Sequence, residues 1–358
     1  MSALVSPAVN SPRPMTNAEL DRLSINCIRT LSIYAVQQAK SGHPGTPMAL
    51  APLVYTLWNR VMRFDPQDPI WPNRDRFVLS NGHASMLLWS VLHLTGTRAV
   101  NADYERLGQP AVSLDDIRHF RQLGSKAPGH PEYHLVSGVE TTTGPLGQGV
   151  ATSVGMAIAE AWLANRYNRP DFEIFNYNVY AVCGDGCMME GVGSEAASLA
   201  GHLALDNLCW IYDNNHITIE GNTRIAFTED IAARFLGYGW NVLRVGDAND
   251  IERIEHAIFF TRPRTARLSS FWIVTSAMAR RISRTLLRPT ASRSARRRSA
   301  SPSATTDGQR TPNSWFPTRC APISPPASAR AVRRPAPVGP NCLPLIARNI
   351  PNSRPRST

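Results

Sequence analysis

Two polar motifs, each directly after an apolar run, carry oxygen ligands that could bind a metal ion. Gly184-Asp185-Gly186 follows the apolar residues 179–183, and Asp213-Asn214-Asn215 follows the apolar residues 208–212. Mg²⁺ prefers carboxylate, amide and carbonyl oxygens and commonly takes its remaining ligands from a phosphate. The pair of motifs therefore predicts a cation that also binds a diphosphate. Taken singly, each motif also fits an ordinary Asp-Gly or Asn-rich turn.

The two apolar runs must be neighbouring strands for these motifs to meet. Residues 194–200 between them are small and compatible with a helix, so the segment has the strand-helix-strand order of a right-handed crossover. Such folds bind ligands beyond the carboxyl ends of their parallel strands, where Asp185 and Asn215 would lie. We expect an α/β fold with a doubly wound, mostly parallel sheet of five or six strands and helices on both faces.

A histidine follows the first predicted helix. Thr16 and Glu19 have capping-box spacing, which predicts that the helix begins there, and Gly42 predicts its end. His43 comes directly after that glycine. An imidazole at this place could bind a substrate or could simply cap helix carbonyls.

Two further histidines, His83 and His130, lie in loops punctuated by glycine or proline. A single loop histidine is more often solvated than catalytic, but neutral imidazoles can exchange protons with a reacting carbonyl group near pH 7. Residues 142–149 contain three glycines, whose missing side chains would let the backbone approach a flat ring. The alternative for that loop is simple flexibility.

Five motifs stand in a fixed order along the first 260 residues. They are Ser41-Gly42-His43-Pro44-Gly45, Leu79-Ser80-Asn81-Gly82-His83-Ala84, Pro128-Gly129-His130-Pro131-Glu132, Thr142-Thr143-Gly144-Pro145-Leu146-Gly147-Gln148-Gly149, and the metal motif. Together they resemble the N-terminal, diphosphate-binding domain of a transketolase, a thiamine diphosphate enzyme. The resemblance runs from residue 20 to residue 257.

The resemblance implies a role for ten residues. Those implied to hold Mg²⁺ or Ca²⁺ are Asp185, Asn215 and the carbonyl of Ile217. Those implied to contact the cofactor are His83, Gly144, Leu146, Gly186, Glu190 and Asn215. Those implied to surround the reactive carbon and the donor sugar are His43, His83 and His130. No such role is implied for His119, His134, His202, His216 or His256.

The resemblance also implies a reaction. Transketolases transfer a two-carbon ketol unit from a ketose phosphate to an aldose phosphate, with thiamine diphosphate as the electron sink. In the family, a carboxylate from the partner subunit's middle domain helps to activate the cofactor within a homodimer. A transketolase subunit normally has three domains, and the resemblance here ends within the first. We therefore expect half of an active site and no activity from the chain alone, and the homodimer is in doubt.

Charge divides the chain near residue 260. Residues 1–260 contain 19 basic and 26 acidic residues, a net charge of −7, whereas residues 261–358 contain 19 arginines and one acidic residue, a net charge of +18. High charge together with 14 of the 28 prolines predicts disorder in the second part. We assign a flexible arm to residues 1–15, the diphosphate-binding domain to 16–262 and a disordered basic tail to 263–358.

Two interpretations of the tail are open. Clusters such as Arg296-Arg297-Arg298 offer charge for nucleic-acid phosphates. Alternatively, the tail is a frameshift product, because codons for residues 264–292, read two bases later, permit DRPTLIILDSHIGYGAPHKQDTSAAHGE, which resembles the end of the same domain. The codons of residues 308–318, read in the same shifted frame, permit WPEDAKFLVPD. Two long matches in one phase favour a frameshift between residues 259 and 264, and with it we expect the last strand of the sheet to be lost.

Two alternative functions remain open at this point. The chain could be the N-terminal subunit of a split transketolase, completed by a separate C-terminal chain, or a non-enzymatic protein whose tail binds RNA. The sequence has no twenty-residue apolar run and no secretory leader, which predicts neither a membrane span nor export and fits a cytoplasmic compartment. Cys183 and Cys187 lack a second cysteine pair, so we interpret them as small buried residues rather than zinc ligands.

Overall fold

The computed structural model of the protein describes residues 15–219, 221–260 and 270–274. The arm predicted at residues 1–15 lies outside these ranges except for Met15, and the predicted basic tail lies outside them except for residues 270–274.

The first helix, α1 (Asn17–Ala39), begins where the capping box predicts. The Thr16 side chain accepts from the Glu19 backbone N–H at 3.3 Å, and the Glu19 carboxylate accepts from the Thr16 backbone N–H at 2.9 Å. The predicted end at Gly42 is wrong, because Lys40 already adopts a left-handed backbone conformation with φ of 49°. The loop that carries the first predicted histidine therefore starts earlier than the sequence suggests.

The strands form one large and two small sheets among the described residues. In chain order they are β1 (Arg76–Leu79), β2 (Arg98–Val100), β3 (Arg106–Pro110), β4 (Val179–Gly184), β5 (Leu208–Asp213), β6 (Ile217–Thr218), β7 (Gly221–Asn222), β8 (Asn241–Val245) and β9 (Ser270–Val274). The large sheet has the order β1-β4-β5-β9-β8, and every neighbouring pair in it is parallel. β2 pairs with β3 and β6 with β7, both antiparallel.

Eight more α-helices occur in the described part of the chain. They are α2 (Gly45–Thr56), α3 (Met86–Leu94), α4 (Leu114–Arg118), α5 (Gln148–Tyr167), α6 (Asp185–Met189), α7 (Gly191–His202), α8 (Ile231–Gly237) and α9 (Ile251–Phe260). A π-helical turn at Leu57–Val61 extends α2, and two 3₁₀ turns lie at Gly82–Ala84 and Thr223–Ile225.

Alternate residues of β4 are buried on opposite faces of the sheet. Val179, Ala181 and Cys183 belong to one apolar cluster with residues of α5, α7 and α8. Tyr180 and Val182 belong to the other, with residues of α1, α2 and α3. Because successive side chains of a strand point to opposite faces, helices cover both sides of the sheet. The predicted doubly wound, parallel α/β fold is confirmed.

The sheet differs from expectation after residue 262. β9 lies within the segment assigned to the tail, and it pairs with β5 on one side and with β8 on the other. The expected loss of the last strand is therefore wrong. The physical reason is local composition, because aromatic and β-branched residues favour strands, and the run here is Ser, Phe, Trp, Ile and Val.

Candidate functional site

The carboxyl ends of β4 and β5 bring the two predicted metal-binding motifs together. The strands are parallel, and Gly184 lies opposite Asp213 at their final paired residues. α7 lies between them in the chain, so the predicted strand-helix-strand order is confirmed. Asp185, directly after β4, and Asn215, just after β5, line the same cavity.

Asp185 is a buried carboxylate whose hydrogen-bond donors are neutral. The residue is 3% exposed. The Tyr212 hydroxyl donates to its Oδ1 at 2.6 Å, and the backbone N–H of His216 donates to its Oδ2 at 2.9 Å. Burial raises the pKa of Asp185, although both hydrogen bonds act in the opposite direction. A cation beside this carboxylate would offset the cost of its desolvation.

The loop after β5 is ordered by its own polar groups. Asn215 Nδ2 donates to Asp213 Oδ2 at 2.9 Å, and the backbone N–H of Ile217 donates to Asn215 Oδ1 at 3.0 Å. His216 between them has a left-handed φ of 58°, which is uncommon for a residue with a side chain. This turn places both Asn215 and Ile217 at the cavity.

The three predicted histidines lie at the same cavity. The rings of His43 and His83 meet edge to face, with centroids 4.8 Å apart. The ring of His130 lies 3.6 Å from the position that a Cβ on Gly144 would occupy. Burial lowers the pKa of all three imidazoles, to about 4 for His83, and the positive charge of Arg121 lowers each pKa further. They are therefore neutral near pH 7.

The glycine-rich loop at residues 142–149 packs closely against the other motifs. A Cβ on Gly82 would lie 2.7 Å from the Thr143 hydroxyl oxygen, and one on Gly186 would lie 2.5 Å from Leu146 Cδ1. A Cβ on Gly82 would also lie 3.1 Å from backbone atoms of Thr143 and Gly144, so this glycine is needed for the loop to sit where it does, whereas the end of the Leu146 side chain can move away from Gly186.

One cavity of about 550 Å³ joins all of these groups. All ten residues singled out in the sequence line it: His43, His83, His130, Gly144, Leu146, Asp185, Gly186, Glu190, Asn215 and Ile217. The roles that the resemblance implies for them stay predictions. The convergence itself comes from elements separated by more than a hundred residues in the chain.

Sequence reasoning missed Asn81 as a residue of the cavity wall. Asn81 is 2% exposed, and its Oδ1 has no hydrogen-bond partner among the described residues. A buried polar atom without a partner is costly, so this acceptor points to a ligand that donates to it. Its position two residues before His83 in a motif already quoted is the signal that could have identified it.

A second cavity, of about 430 Å³, lies on the other side of Asp185. Its lining includes Tyr212, His216, Arg224 and Arg244. The Tyr212 hydroxyl and the His216 backbone were not predicted to support Asp185. Nothing in the local sequence pattern indicates these contacts, because they depend on how β5 and its loop pack against α6.

Other expectations concern metals, cysteines and membranes. Within the described ranges, no cluster of three His, Cys, Asp or Glu side chains is suited to a metal, and the predicted ligand set contains only one carboxylate. Cys183 and Cys187 are both fully buried free thiols, as predicted. No described helix combines the length and apolar character needed to span a bilayer.

The chain matches a known protein family over most of its length. Residues 20–276 fit the family described as "Transketolase, thiamine diphosphate binding domain". Among curated proteins, the transketolase of Geobacillus stearothermophilus is 56% identical over 239 residues, which cover 67% of this chain and 34% of the relative. Transketolase 1 of Saccharomyces cerevisiae is 52% identical over 241 residues, which cover 67% of this chain and 33% of the relative. The chain thus spans about a third of the length of these relatives.

Solved structures agree with the sequence comparison. The transketolase of Pichia stipitis in complex with sedoheptulose-7-phosphate has a TM-score of 0.67 and 47% identity, over 73% of this chain and 36% of that protein. The transketolase from Leishmania mexicana has a TM-score of 0.66 and 45% identity, over 74% of this chain and 37% of that protein.

Proposed function

This chain belongs to the transketolase family, and we propose that its cavity binds thiamine diphosphate with Mg²⁺ and takes part in two-carbon ketol transfer from a ketose phosphate to an aldose phosphate. The observation that carries the proposal is the convergence of ten motif residues on one cavity. Its volume of about 550 Å³ lies within the range of small-molecule sites, roughly 300–1,000 Å³.

The donor groups present fit a diphosphate and a divalent cation. Asp185 offers a buried carboxylate without a charged hydrogen-bond donor, and Asn215 and the Ile217 carbonyl add neutral oxygens. This is the oxygen set that Mg²⁺ accepts when a phosphate supplies further ligands. Gly186 adds a residue without a side chain to the cavity wall, and Asn81 Oδ1, which has no hydrogen-bond partner among the described residues, is available to a donor on the ligand.

The remaining wall suits a cofactor with one flat and one charged end. Gly144 and Leu146 give an apolar and backbone surface against which a ring can pack, and Glu190 adds a carboxylate at the same cavity. When bound, thiamine diphosphate supplies the electron sink that ketol transfer requires. The chain's own contribution is to position that group and to exclude water from it.

The neutral imidazoles are suited to the sugar rather than to the diphosphate. His43, His83 and His130 can each donate and accept hydrogen bonds while uncharged, because burial and Arg121 disfavour their protonated forms. Ketol transfer forms and breaks bonds beside a carbonyl and several hydroxyl groups. Groups of this kind can hold those hydroxyls and pass protons at them.

We also propose that the matched third of a transketolase supplies only the diphosphate-binding half of the site. The family's activating carboxylate belongs to the partner subunit's middle domain, and the match does not reach that domain. The proposal also states that the substrates are sugar phosphates, that the protein is cytoplasmic and that the chain alone does not turn them over.

The described surface favours a protein partner. α5 and α7 pack against each other and carry exposed apolar side chains. The residues and their exposed fractions are Ile158 (36%), Trp162 (61%), Val192 (44%), Leu199 (45%) and Leu203 (46%). We propose a second copy of the chain as that partner, in keeping with the homodimer of the family. A separate C-terminal chain, as in a split transketolase, is the alternative.

Calorimetry with thiamine diphosphate and Mg²⁺ tests the cofactor assignment. Asp185→Ala removes the only carboxylate of the predicted metal set and should abolish Mg²⁺-dependent binding. Asp171→Ala, at an exposed aspartate, is the matched control and should bind like the parent. Equal affinity in Asp185→Ala and the parent, with and without a chelator, would refute the assignment.

A further inference from the structure

Arg121 lies just after α4 and reaches across to the loop that follows α1. Its Nη1 donates to Ser41 Oγ at 2.7 Å. The residue has a left-handed φ of 62°, and its backbone N–H donates to the Ala127 carbonyl at 3.1 Å. The backbone is thus held in an uncommon conformation that points the side chain at the Ser41-Gly42-His43 loop.

The same side chain also packs against the loop that carries His130. A Cβ placed on Gly129 would lie 3.0 Å from Arg121 Nε and 3.4 Å from its Cζ. The Arg121 side chain therefore lies beside a residue that has no side chain, one position before the histidine. Arg121 contacts both histidine loops, whose closest points in the chain are separated by more than eighty residues.

The charge of Arg121 is not neutralised by a neighbouring carboxylate. Among the residues that the structure describes, no carboxylate is paired with it, and its buried Nε has no hydrogen-bond partner. An arginine stays protonated at any physiological pH. Its positive charge therefore acts on whatever titratable groups are nearby.

We propose that Arg121 is a positioning residue of the cavity, which joins the loops of His43 and His130 and holds a positive charge beside both loops. This inference depends on the proposed function in one respect, namely what the neutral imidazoles are used for. Arg121 itself does not line the cavity, so it acts through the histidines rather than on a substrate.

The charged groups around the histidines support this assignment. For His43, burial, then Arg121, then His130 lower the pKa. For His130, burial and Arg121 lower it, and Glu132 raises it. For His83, burial, His43, His130 and Arg121 all lower it. Arg121 is the one permanent cation common to all three lists.

Histidine titration in the full chain tests the proposal without cofactor or substrate. The Cε1–Hε1 signals of selectively labelled histidines would be followed by NMR against pH and assigned with His→Gln variants. Arg121→Met removes the charge and keeps the length of the side chain, so the pKa of His43 and of His130 should rise. Arg121→Lys restores a positive charge and should return both values towards those of the parent.

Three further variants separate position from charge. Arg118→Met removes an exposed arginine at the end of α4 and should leave the histidine titrations unchanged. Ser41→Ala should shift the His43 signal without raising the pKa of His130, because the charge remains. Gly129→Ala asks the Arg121 side chain to move by only a few tenths of an ångström and should leave the pKa of His130 close to that of the parent, because the charge remains.

Two results would overturn the proposal. One is an unchanged pKa for all three histidines in a folded Arg121→Met chain, or in Arg121→Gln if Arg121→Met does not fold. The other is an equal rise in Arg118→Met, which would mean that net charge rather than position controls the titration. Calorimetry of the parent with thiamine diphosphate reports on the proposed function separately, since it does not depend on how the histidines titrate.

Discussion

Burial shifts the pKa of the acidic and basic groups around the cavity in opposite directions. It raises the pKa of Asp185 and lowers that of His83 to about 4. Both shifts favour the uncharged form, because a low-dielectric environment penalises either charge. The histidine therefore stays neutral near pH 7, whereas a cation beside the carboxylate would let it remain ionised at low cost.

At the residue scale, the shift of His83 predicts how stability depends on pH. An unfolded histidine protonates near pH 6.5 and the folded one only near pH 4, so the unfolded state binds the extra proton as the pH falls between these values. Stability attributable to neutral His83 is therefore present above pH 6.5 and is lost towards pH 4. Relative to the parent, His83→Gln should gain on the order of 2–3 kcal/mol between pH 7 and pH 4.5.

Urea unfolding at several pH values measures this difference. His202→Gln, at an exposed histidine in α7, is the control and should follow the parent curve. If the difference in free energy of unfolding between His83→Gln and the parent is the same at every pH in this range, the low pKa of His83 is refuted.

At the element scale, α5 is held to the sheet by a glycine at its first turn. A Cβ on Gly149 would lie 2.6 Å from the Ser80 Cα, which is backbone and cannot move aside easily. Ser80 Oγ also accepts from the Val150 N–H at 3.1 Å. The close approach fixes the glycine-rich loop directly before α5, and so the cavity wall that this loop forms.

The two glycines of α5 make a matched pair for mutation. Gly149→Ala should destabilise the fold by about 1–3 kcal/mol, because the added methyl overpacks the contact with Ser80. Gly155→Ala, at an exposed position with nothing within 4 Å of the added Cβ, should stabilise the helix by about 0.4–1 kcal/mol. Thermal and urea unfolding would check both signs, and a stabilised Gly149→Ala would contradict the packing argument.

At the scale of the whole molecule, the apolar surface of α5 and α7 predicts self-association. Trp162→Glu puts a charge into the most exposed side chain of that surface and should shift a dimer towards monomer in sedimentation experiments. Leu236→Glu changes a side chain of similar exposure, 60%, on α8 and should not. A parent that sediments as a monomer at micromolar concentrations would exclude the second copy as partner.

The frameshift interpretation makes a prediction at the same scale. Resequencing the coding DNA should find an inserted or deleted base between the codons of residues 259 and 264, after which the open frame continues as transketolase-like sequence. A confirmed unbroken frame would instead favour an evolved basic tail, because no shift would then be needed to explain its +18 charge. Most of the tail lies outside the described residues, so its structure does not bear on this choice.

The sequence alone determined those features whose cause is local. The capping box at Thr16, the apolar runs of β4 and β5 and the glycine-bearing motifs are short patterns, and the structure confirms each as an element or a contact. The parallel arrangement followed from the strand-helix-strand order, because the handedness of a crossover leaves few alternatives. This was enough to predict the fold, whereas the ten residues that line one cavity were named from the resemblance to transketolases.

The tertiary structure decided what depends on distant neighbours. The insertion of β9 between β5 and β8, the unpartnered Oδ1 of Asn81 and the support of Asp185 by Tyr212 have no local signature. Arg121 meets Ser41 from eighty residues away. Burial and electrostatic potential are sums over everything packed around a group, so the protonation states of the histidines could be derived only once those neighbours were in place.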